Sequence, residues 1–411
     1  MRVLVIGRGG REHALAWRLA QSPSAERVYA APGNPGMAEV GEVLPVAGGR
    51  PEDYLRLAGD VNADLTVVGP EAPLVAGIVD AFRAGGRRIF GPDAAAARLE
   101  GSKVFAKNFL AKSNLPTADY LVAETLDAAR AALERFTFPL VIKADGLAAG
   151  KGVVIAQDRS EAERAILELQ PPLIVEEHLT GEEVSFIVVC DGKTALPLEP
   201  TQDHKAVFDG DHGPNTGGMG AYCDSRILTP GQSRAIMERI IWPVVERTAF
   251  TGFLYAGLMM TADGPKVLEF NVRLGDPEAQ PLMLRLRSDL GEVLAAAANG
   301  RLGGAKLEWA AGPSVCVVLA SEGYPGKYPS GLAINGIAEA GETVFHAGTR
   351  MGPNGLETAG GRVLGVTAPG ATLQEAIDRS YAAVRRIHFE GMHYRTDIGQ
   401  KGLKRWRTQT V

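Results

Sequence analysis

With 411 residues, 45% of them apolar and 22% charged, the chain is too long for one ordinary core and reads as a globular protein of two to four domains. A formal net charge of −5 excludes a general nucleic-acid binder or membrane-surface protein, and no run approaches the ~18 apolar residues of a transmembrane helix. Cys190, Cys223 and Cys316 lie far apart with no Cys-x-x-Cys, which argues against a disulfide framework or zinc site and fits a reducing cytoplasm.

The chain opens on M-R-V-L-V-I-G, too short and too soon followed by glycines to be a signal peptide. R-V-L-V-I-G reads as a buried parallel strand and R-E-H-A-L-A-W-R-L-A as a helix. A-D-L-T-V-V-G is a second clear strand, P-L-V-A-G-I-V-D-A-F-R a second clear helix and R-R-I-F-G-P a third strand. This alternation predicts a doubly wound α/β domain over residues 1–100, with ligands at the carboxyl ends of its strands. Near residue 101 the pattern changes. G-S-K-V-F-A-K-N-F-L-A-K starts a helix with Ser102 as N-cap, its Phe105 and Phe109 packing at i, i+4. F-P-L-V-I-K and V-V-I-A-Q then have hairpin character, followed by strands in P-L-I-V-E-E-H-L and E-V-S-F-I-V-V-C. The polar, glycine-rich stretch 203–220 reads as a long functional loop. From about residue 312, V-C-V-V-L-A, G-E-T-V-F-H-A-G and G-R-V-L-G-V-T-A predict strands of a small α+β module closing on the helix L-Q-E-A-I-D-R-S-Y-A-A-V-R-R-I. The basic tail K-G-L-K-R-W-R reads as a solvated C-terminus.

Three motifs carry chemistry. G-R-G-G-R at 7–11 follows a strand and opens a helix, so its backbone N–H groups could meet a phosphate; a tight βα turn without ligand is the equal alternative. It is a poor dinucleotide fingerprint, because the strand ending V-Y-A-A-P-G lacks the acidic residue that would hold a ribose. K-A-D-G-L-A-A-G-K-G-V-V at 143–154 is no P-loop, since Gly152 stands where Ser or Thr is required. It reads instead as a glycine-rich hairpin flap with a lysine at each edge, able to close over phosphates. In V-L-E-F-N-V-R-L-G-D-P-E, taken as a strand, Glu269, Asn271 and Arg273 fall at i, i+2 and i+4 on one face, opposite Leu268, Phe270 and Val272. Two hard-oxygen donors beside a guanidinium suit Mg²⁺ and a phosphate; a surface ion pair between Glu269 and Arg273 is the plain alternative. There is no Gly-x-Ser-x-Gly elbow or His-Glu-x-x-His, and the seven histidines are scattered.

These segments, with V-G-P-E-A-P-L, Q-D-H-K, G-P-N-T-G-G-M-G-A-Y, Y-A-G-L-M and G-G-R-V-L, run in order from residue 1 to about 400. Together they resemble the glycinamide ribonucleotide synthetases (phosphoribosylamine–glycine ligases), an ATP-grasp family of de novo purine synthesis. The resemblance implies an N-terminal pre-ATP-grasp domain over 1–100, an ATP-grasp domain over 101–311 with a lid at about 115–185, and a C-terminal α+β domain over 312–411. It implies ligation of glycine to 5-phosphoribosylamine through glycyl phosphate, with ATP as co-substrate, Mg²⁺ or Mn²⁺ as metal, and a cytoplasmic monomer or weak homodimer.

Residue by residue, the resemblance puts Lys103 and Lys143 on the ATP phosphates under a flap that includes Gly146, Gly150, Lys151 and Gly152. Glu176 and the hinge after it, with Glu177 and Leu179, would take the adenine edge, and Glu183 the ribose. Glu269 and Asn271 would hold the metal, and Arg273 the transferring phosphoryl group. Phosphoribosylamine would lie between Gly9, Gly10, Glu71 and Arg362, with Asp203, Lys205, Asn215, Thr216 and Gly217 closing over the amine and glycine, and Asp276 turned towards the glycine. Two differences stand out, the first from the family pattern and the second, usual in this family, from many other ATP-grasp enzymes. The segment between Ile155 and Ile174 lacks a glycine-containing loop, and the strand Y-A-G-L-M-M carries no additional metal-binding carboxylate, which leaves one or two ions open. A nicotinamide-dependent oxidoreductase, another ATP-grasp ligase and a nucleotide-binding regulator are the rival readings.

Overall fold

The computed structural model describes residues 1–147 and 152–407. The strand Arg2–Gly7, buried along almost its whole length, occupies the middle of a five-stranded parallel sheet. In spatial order the strands are Glu42–Val43, Arg27–Pro32, Arg2–Gly7, Leu65–Val68 and Ile89–Phe90. The order reverses between Arg2–Gly7 and Leu65–Val68, where a crevice opens beyond the strand ends. Gly7 and Gly69 end these two neighbours, and a methyl group on either would lie within 2.5 Å of the Glu12 side chain. Their bareness lets Glu12 reach into the crevice from the helix Gly10–Ala20.

Two elements of this domain differ from the sequence reading. P-L-V-A-G-I-V-D-A-F-R is two helices, Glu71–Val75 and Ile78–Ala84, because Gly77 takes φ +83 and breaks the run. The helix Pro51–Asp60 and the edge strand Glu42–Val43 were not read from the sequence; two residues are too few to show a period.

After the helices Ala94–Gly101 and Lys103–Lys112 comes a four-stranded antiparallel sheet in the order Tyr120–Ala123, Leu173–Glu177, Leu140–Ala144, Val153–Ala156. The hairpin expected from F-P-L-V-I-K and V-V-I-A-Q is present, pairing Lys143 with Val153. Alternation sorts its faces: Leu140, Ile142, Leu173 and Val175 pack against Ala129, Ala162 and Ile166 of two covering helices. Val141, Lys143, Ile174 and Glu176 point the other way, into a cleft.

The second wall of that cleft is a large antiparallel sheet, running Gly264–Asn271, Thr251–Thr261, Glu182–Asp191, Thr201–Asp203, Gly220–Cys223, Ser314–Ala320, Arg362–Pro369 and Thr343–His346. The three strands expected for the C-terminal module are all there. They continue the sheet without a break, since Gly220–Cys223 pairs with Ser314–Ala320. Residues 203–220, expected as a loop, contain a short hairpin of Ala206–Phe208 against His212–Asn215. Its glycines and charges hid a pairing only a few residues long. The basic tail is not a free end either: Lys401, Arg405 and Trp406 bond to Asp211, Glu182 and Asp224. Among the described residues, no helix is long and apolar enough to cross a membrane.

Candidate active site

A cleft of about 1240 Å³ lies between the parallel sheet, the four-stranded sheet and the large antiparallel sheet. Lys103, Lys143, Gly146, Gly152, Glu176, Glu177, Leu179 and Glu183 line it, as do Glu71, Asp203, Lys205, Asn215, Thr216, Gly217, Glu269, Asn271, Arg273, Asp276 and Arg362. Residues spread over nearly 300 positions of sequence thus share one cavity. Gly150 and Lys151, expected in the flap, lie outside the described residues.

The lysine end is built by alternation in the strand Leu140–Ala144 and by a capped helix start. Ser102 caps Lys103–Lys112 as expected, accepting the Phe105 N–H at 3.0 Å, and Asp145 reinforces the cap through the Val104 N–H. Lys103 Nζ donates to the Gly146 carbonyl at 2.8 Å, tying the helix to the base of the flap. Glu176 sits between Lys143 Nζ (2.6 Å) and Lys107 Nζ (2.5 Å). The Glu176 carboxylate thus faces the two lysines, and Glu177 and Leu179 follow it along the cleft wall. Leu179, Met259 and Leu268 form an apolar shelf beside it, with Ala118 behind. Lys107 was missed because nothing in its spacing separates it from an ordinary helix-surface lysine.

The polar strand ends at Asn271, two residues earlier than its pattern suggested, and Arg273 lies beyond it. Arg273 does not pair with Glu269. Its guanidinium donates to Asn271 Oδ1 at 2.9 Å and pairs with Glu100 at 2.8 Å and Glu71 at 3.3 Å. Burial works against the Glu269 charge, but Lys205, Lys143 and Lys103 hold its carboxyl below the usual range. Glu269 and Asn271 are therefore hard-oxygen donors in a cationic setting. Among the described residues no group of three or more His, Cys, Asp or Glu could hold a metal by itself. A divalent ion there would complete its shell with phosphate oxygens, which suits the ATP-linked ion these donors were expected to bind.

At the other end, Arg11 pairs with Glu12 at 2.5 Å and with Glu71 at 3.8 Å. Gly9 and Gly10 stand behind the cleft wall rather than on it. The Gly9 N–H already donates to Glu12 Oε2 at 2.7 Å. A Cβ on Gly10 would come within 2.5 Å of Gln280 Nε2, which bonds to Asp276 at 2.9 Å. Here the glycines serve close packing behind Asp276. Arg362 pairs with Asp276 at 3.1 Å and donates to the carbonyls of Gly217 (2.6 Å) and Asp276 (2.5 Å).

Between the two ends, Lys205 pairs with Glu183 at 2.9 Å. Burial, helped by Glu278, Glu183 and Glu269 against Lys205, pushes the Asp203 carboxyl up to about 7. Ser185 joins Tyr255 (2.8 Å) to Glu278 (3.0 Å) on the cleft floor. These three and Glu100 were given no role from sequence: Ser185 and Tyr255 lie in apolar runs and Glu100 in a helix, where a single polar residue carries no signal, and Glu278 is the last residue of the turn that holds Asp276.

Lysines over one end, a carboxylate–amide pair at the centre and an arginine–aspartate clamp at the other suit transfer of a phosphoryl group between two bound substrates. Family models of phosphoribosylglycinamide synthetase match its N domain to residues 1–100, its ATP-grasp domain to 101–279 and its C domain to 314–401. The phosphoribosylamine–glycine ligase of Yersinia pestis is 49% identical over 98% of this chain and 100% of its own, and that of Escherichia coli K12 is 50% identical over 98% and 99%. The crystal structure of the Thermotoga maritima ligase superimposes with a TM-score of 0.84 at 35% identity, covering 97% of this chain and 100% of that one. Biotin carboxylase from Campylobacter jejuni, at 13% identity and a TM-score of 0.74 over 98% and 95% of the two chains, shares the fold alone. The chain belongs to the phosphoribosylglycinamide synthetase family.

Proposed function

We infer that this protein ligates glycine to 5-phosphoribosylamine at the expense of ATP, giving glycinamide ribonucleotide, ADP and phosphate in de novo purine synthesis. A carboxylate oxygen of glycine takes the γ-phosphoryl group and ADP leaves. The amine nitrogen then attacks the acyl carbon of glycyl phosphate, the C–O bond breaks, phosphate departs and the nitrogen loses a proton. The observation that carries this reading is the single cleft in which Lys103 and Lys143, Glu269 and Asn271, and Asp276 and Arg362 converge.

In this assignment Lys103, Lys143 and the flap hold the ATP phosphates, the backbone after Glu176 meets the adenine edge, and Glu183 takes the ribose. Arg273 balances charge on the transferring phosphoryl group. Glu71 and Arg362 hold phosphoribosylamine, with Gly9 and Gly10 shaping the wall behind it, while Asp276 and the 203–217 segment enclose glycine and the amine. Glu269 and Asn271 would hold Mg²⁺ or Mn²⁺, which supplies positive charge for the phosphates when bound. No protein nucleophile is required. Three buried free cysteines accord with a cytoplasmic enzyme, for which a monomer or weak homodimer is the proposed state.

The test is phosphate release with each substrate omitted in turn. Release should require glycine, phosphoribosylamine and a divalent ion together. Glu269→Ala should reduce it on the order of a hundredfold or more. Full activity in that variant would sink the metal assignment, and ATP binding with no phosphate release from the complete mixture would favour a nucleotide-binding regulator.

A further inference from the structure

Arg405, near the end of the described chain, closes a ring of polar contacts with three residues from distant strands. Its Nη1 donates to the Tyr222 hydroxyl at 3.0 Å, and its Nη2 pairs with Glu182. The Tyr222 hydroxyl donates to Gln202 Oε1. Gln202 Nε2 then donates to Glu182 Oε1 at 3.2 Å and to the Glu183 carbonyl at 2.7 Å. Tyr222 and Gln202 are buried, 0% and 3% exposed, so water cannot replace a lost partner cheaply. Burial pushes the Tyr222 hydroxyl up, keeping it protonated and hence a donor. The ring therefore fixes which end of the Gln202 amide faces Glu183.

The segment bearing Arg405 is anchored on both sides. Lys401 pairs with Asp211 at 2.6 Å, and Trp406 Nε1 donates to Asp224 at 2.7 Å while Arg226 stacks on its ring at 3.4 Å. Gln400, Leu403 and Lys404 form part of the cleft wall.

We propose that Arg405 is a positioning residue for nucleotide binding: through Tyr222 and Gln202 it holds the backbone of Glu183 at the start of the strand Glu182–Asp191, where that side chain meets the ribose. This rests on the nucleotide assignment made above. Arg405 reaches no reacting atom, so its loss acts first on ATP binding and reaches the glycine and amine sites only at second hand, through the Lys205 that pairs with Glu183.

The test is steady-state kinetics on the full chain with each substrate varied, together with direct ATP binding by calorimetry. Arg405→Met should raise both KM and Kd for ATP about tenfold, the loss of one half-buried charge-assisted hydrogen bond. KM for glycine and phosphoribosylamine should stay within about twofold. Tyr222→Phe, which removes only the linking hydroxyl, should shift ATP in the same direction and serves if Arg405→Met does not fold. Unchanged ATP binding in these variants, or equal rises for all three substrates, would overturn the proposal. Glu183→Gln separates the two claims. An ATP KM raised there but unchanged in Arg405→Met and Tyr222→Phe refutes the tail alone. An ATP KM unchanged in Glu183→Gln refutes the ribose assignment, and the proposal with it.

Discussion

Glu100 holds the Arg273 guanidinium at 2.8 Å while accepting the Val272 N–H at 2.7 Å, so one carboxylate sets both the backbone and the side chain of the segment beyond the polar strand. Burial pushes the Glu100 carboxyl up, with the Arg273 charge working against it. Glu100→Gln keeps the shape but removes the charge that opposes Glu71 in the pull on Arg273. The expected result is a fall in kcat of about tenfold to a hundredfold with little change in KM for ATP, read by saturation kinetics.

Glu176 bridges two buried ammonium groups. Glu176→Ala leaves Lys107 and Lys143 without the carboxylate that bridges them. A loss on the order of 3 kcal/mol is expected for breaking such a buried pair. Urea unfolding should show it, and hydrogen exchange should place the loosening in the four-stranded sheet. Saturating ATP, whose phosphates replace the missing carboxylate, should recover part of the loss.

Gly218 adopts φ +111, and a Cβ there would lie 2.4 Å from Cδ of Pro277. Gly218→Ala should therefore displace the 216–218 turn from Asp276 and Arg362, costing about 1–3 kcal/mol through strain alone. KM for glycine and for the amine should rise more than KM for ATP.

The seam between the parallel sheet and the C-terminal strands makes stability depend on pH. His13 Nδ1 accepts the His346 N–H at 2.8 Å, and the two rings lie 5.7 Å apart. Burial lowers His13 to about 3, with the His346 charge adding to the effect, and burial lowers His346 to about 4. Both are neutral bases in the fold, whereas in the unfolded chain each binds a proton below about 6.5. Their stabilising contribution is thus whole above pH 6.5 and is lost as pH falls towards 4. The slope is about 1.4 kcal/mol per pH unit per histidine. Chemical denaturation between pH 7.5 and 4.5 should show this fall, and His13→Gln should flatten it.

The sequence by itself determined most of the elements that carry the site. The unbroken apolar run R-V-L-V-I-G, alternation in F-P-L-V-I-K and V-L-E-F-N, and the cap at Ser102 are local signals that act within a few residues, and the structure honours them. The carboxylate and amide of Glu269 and Asn271 stood out because polar atoms on a half-buried strand need a reason. What only the tertiary structure decided is which charge meets which. Arg273 turned from Glu269 to Glu100 and Glu71, Glu176 turned to two lysines, and the basic tail folded back onto Glu182 and Asp224. Spacing along a chain sets which residues share a face. A buried charge, however, settles on whichever counter-charge the packing of distant elements brings within about 4 Å, and no local pattern records that choice.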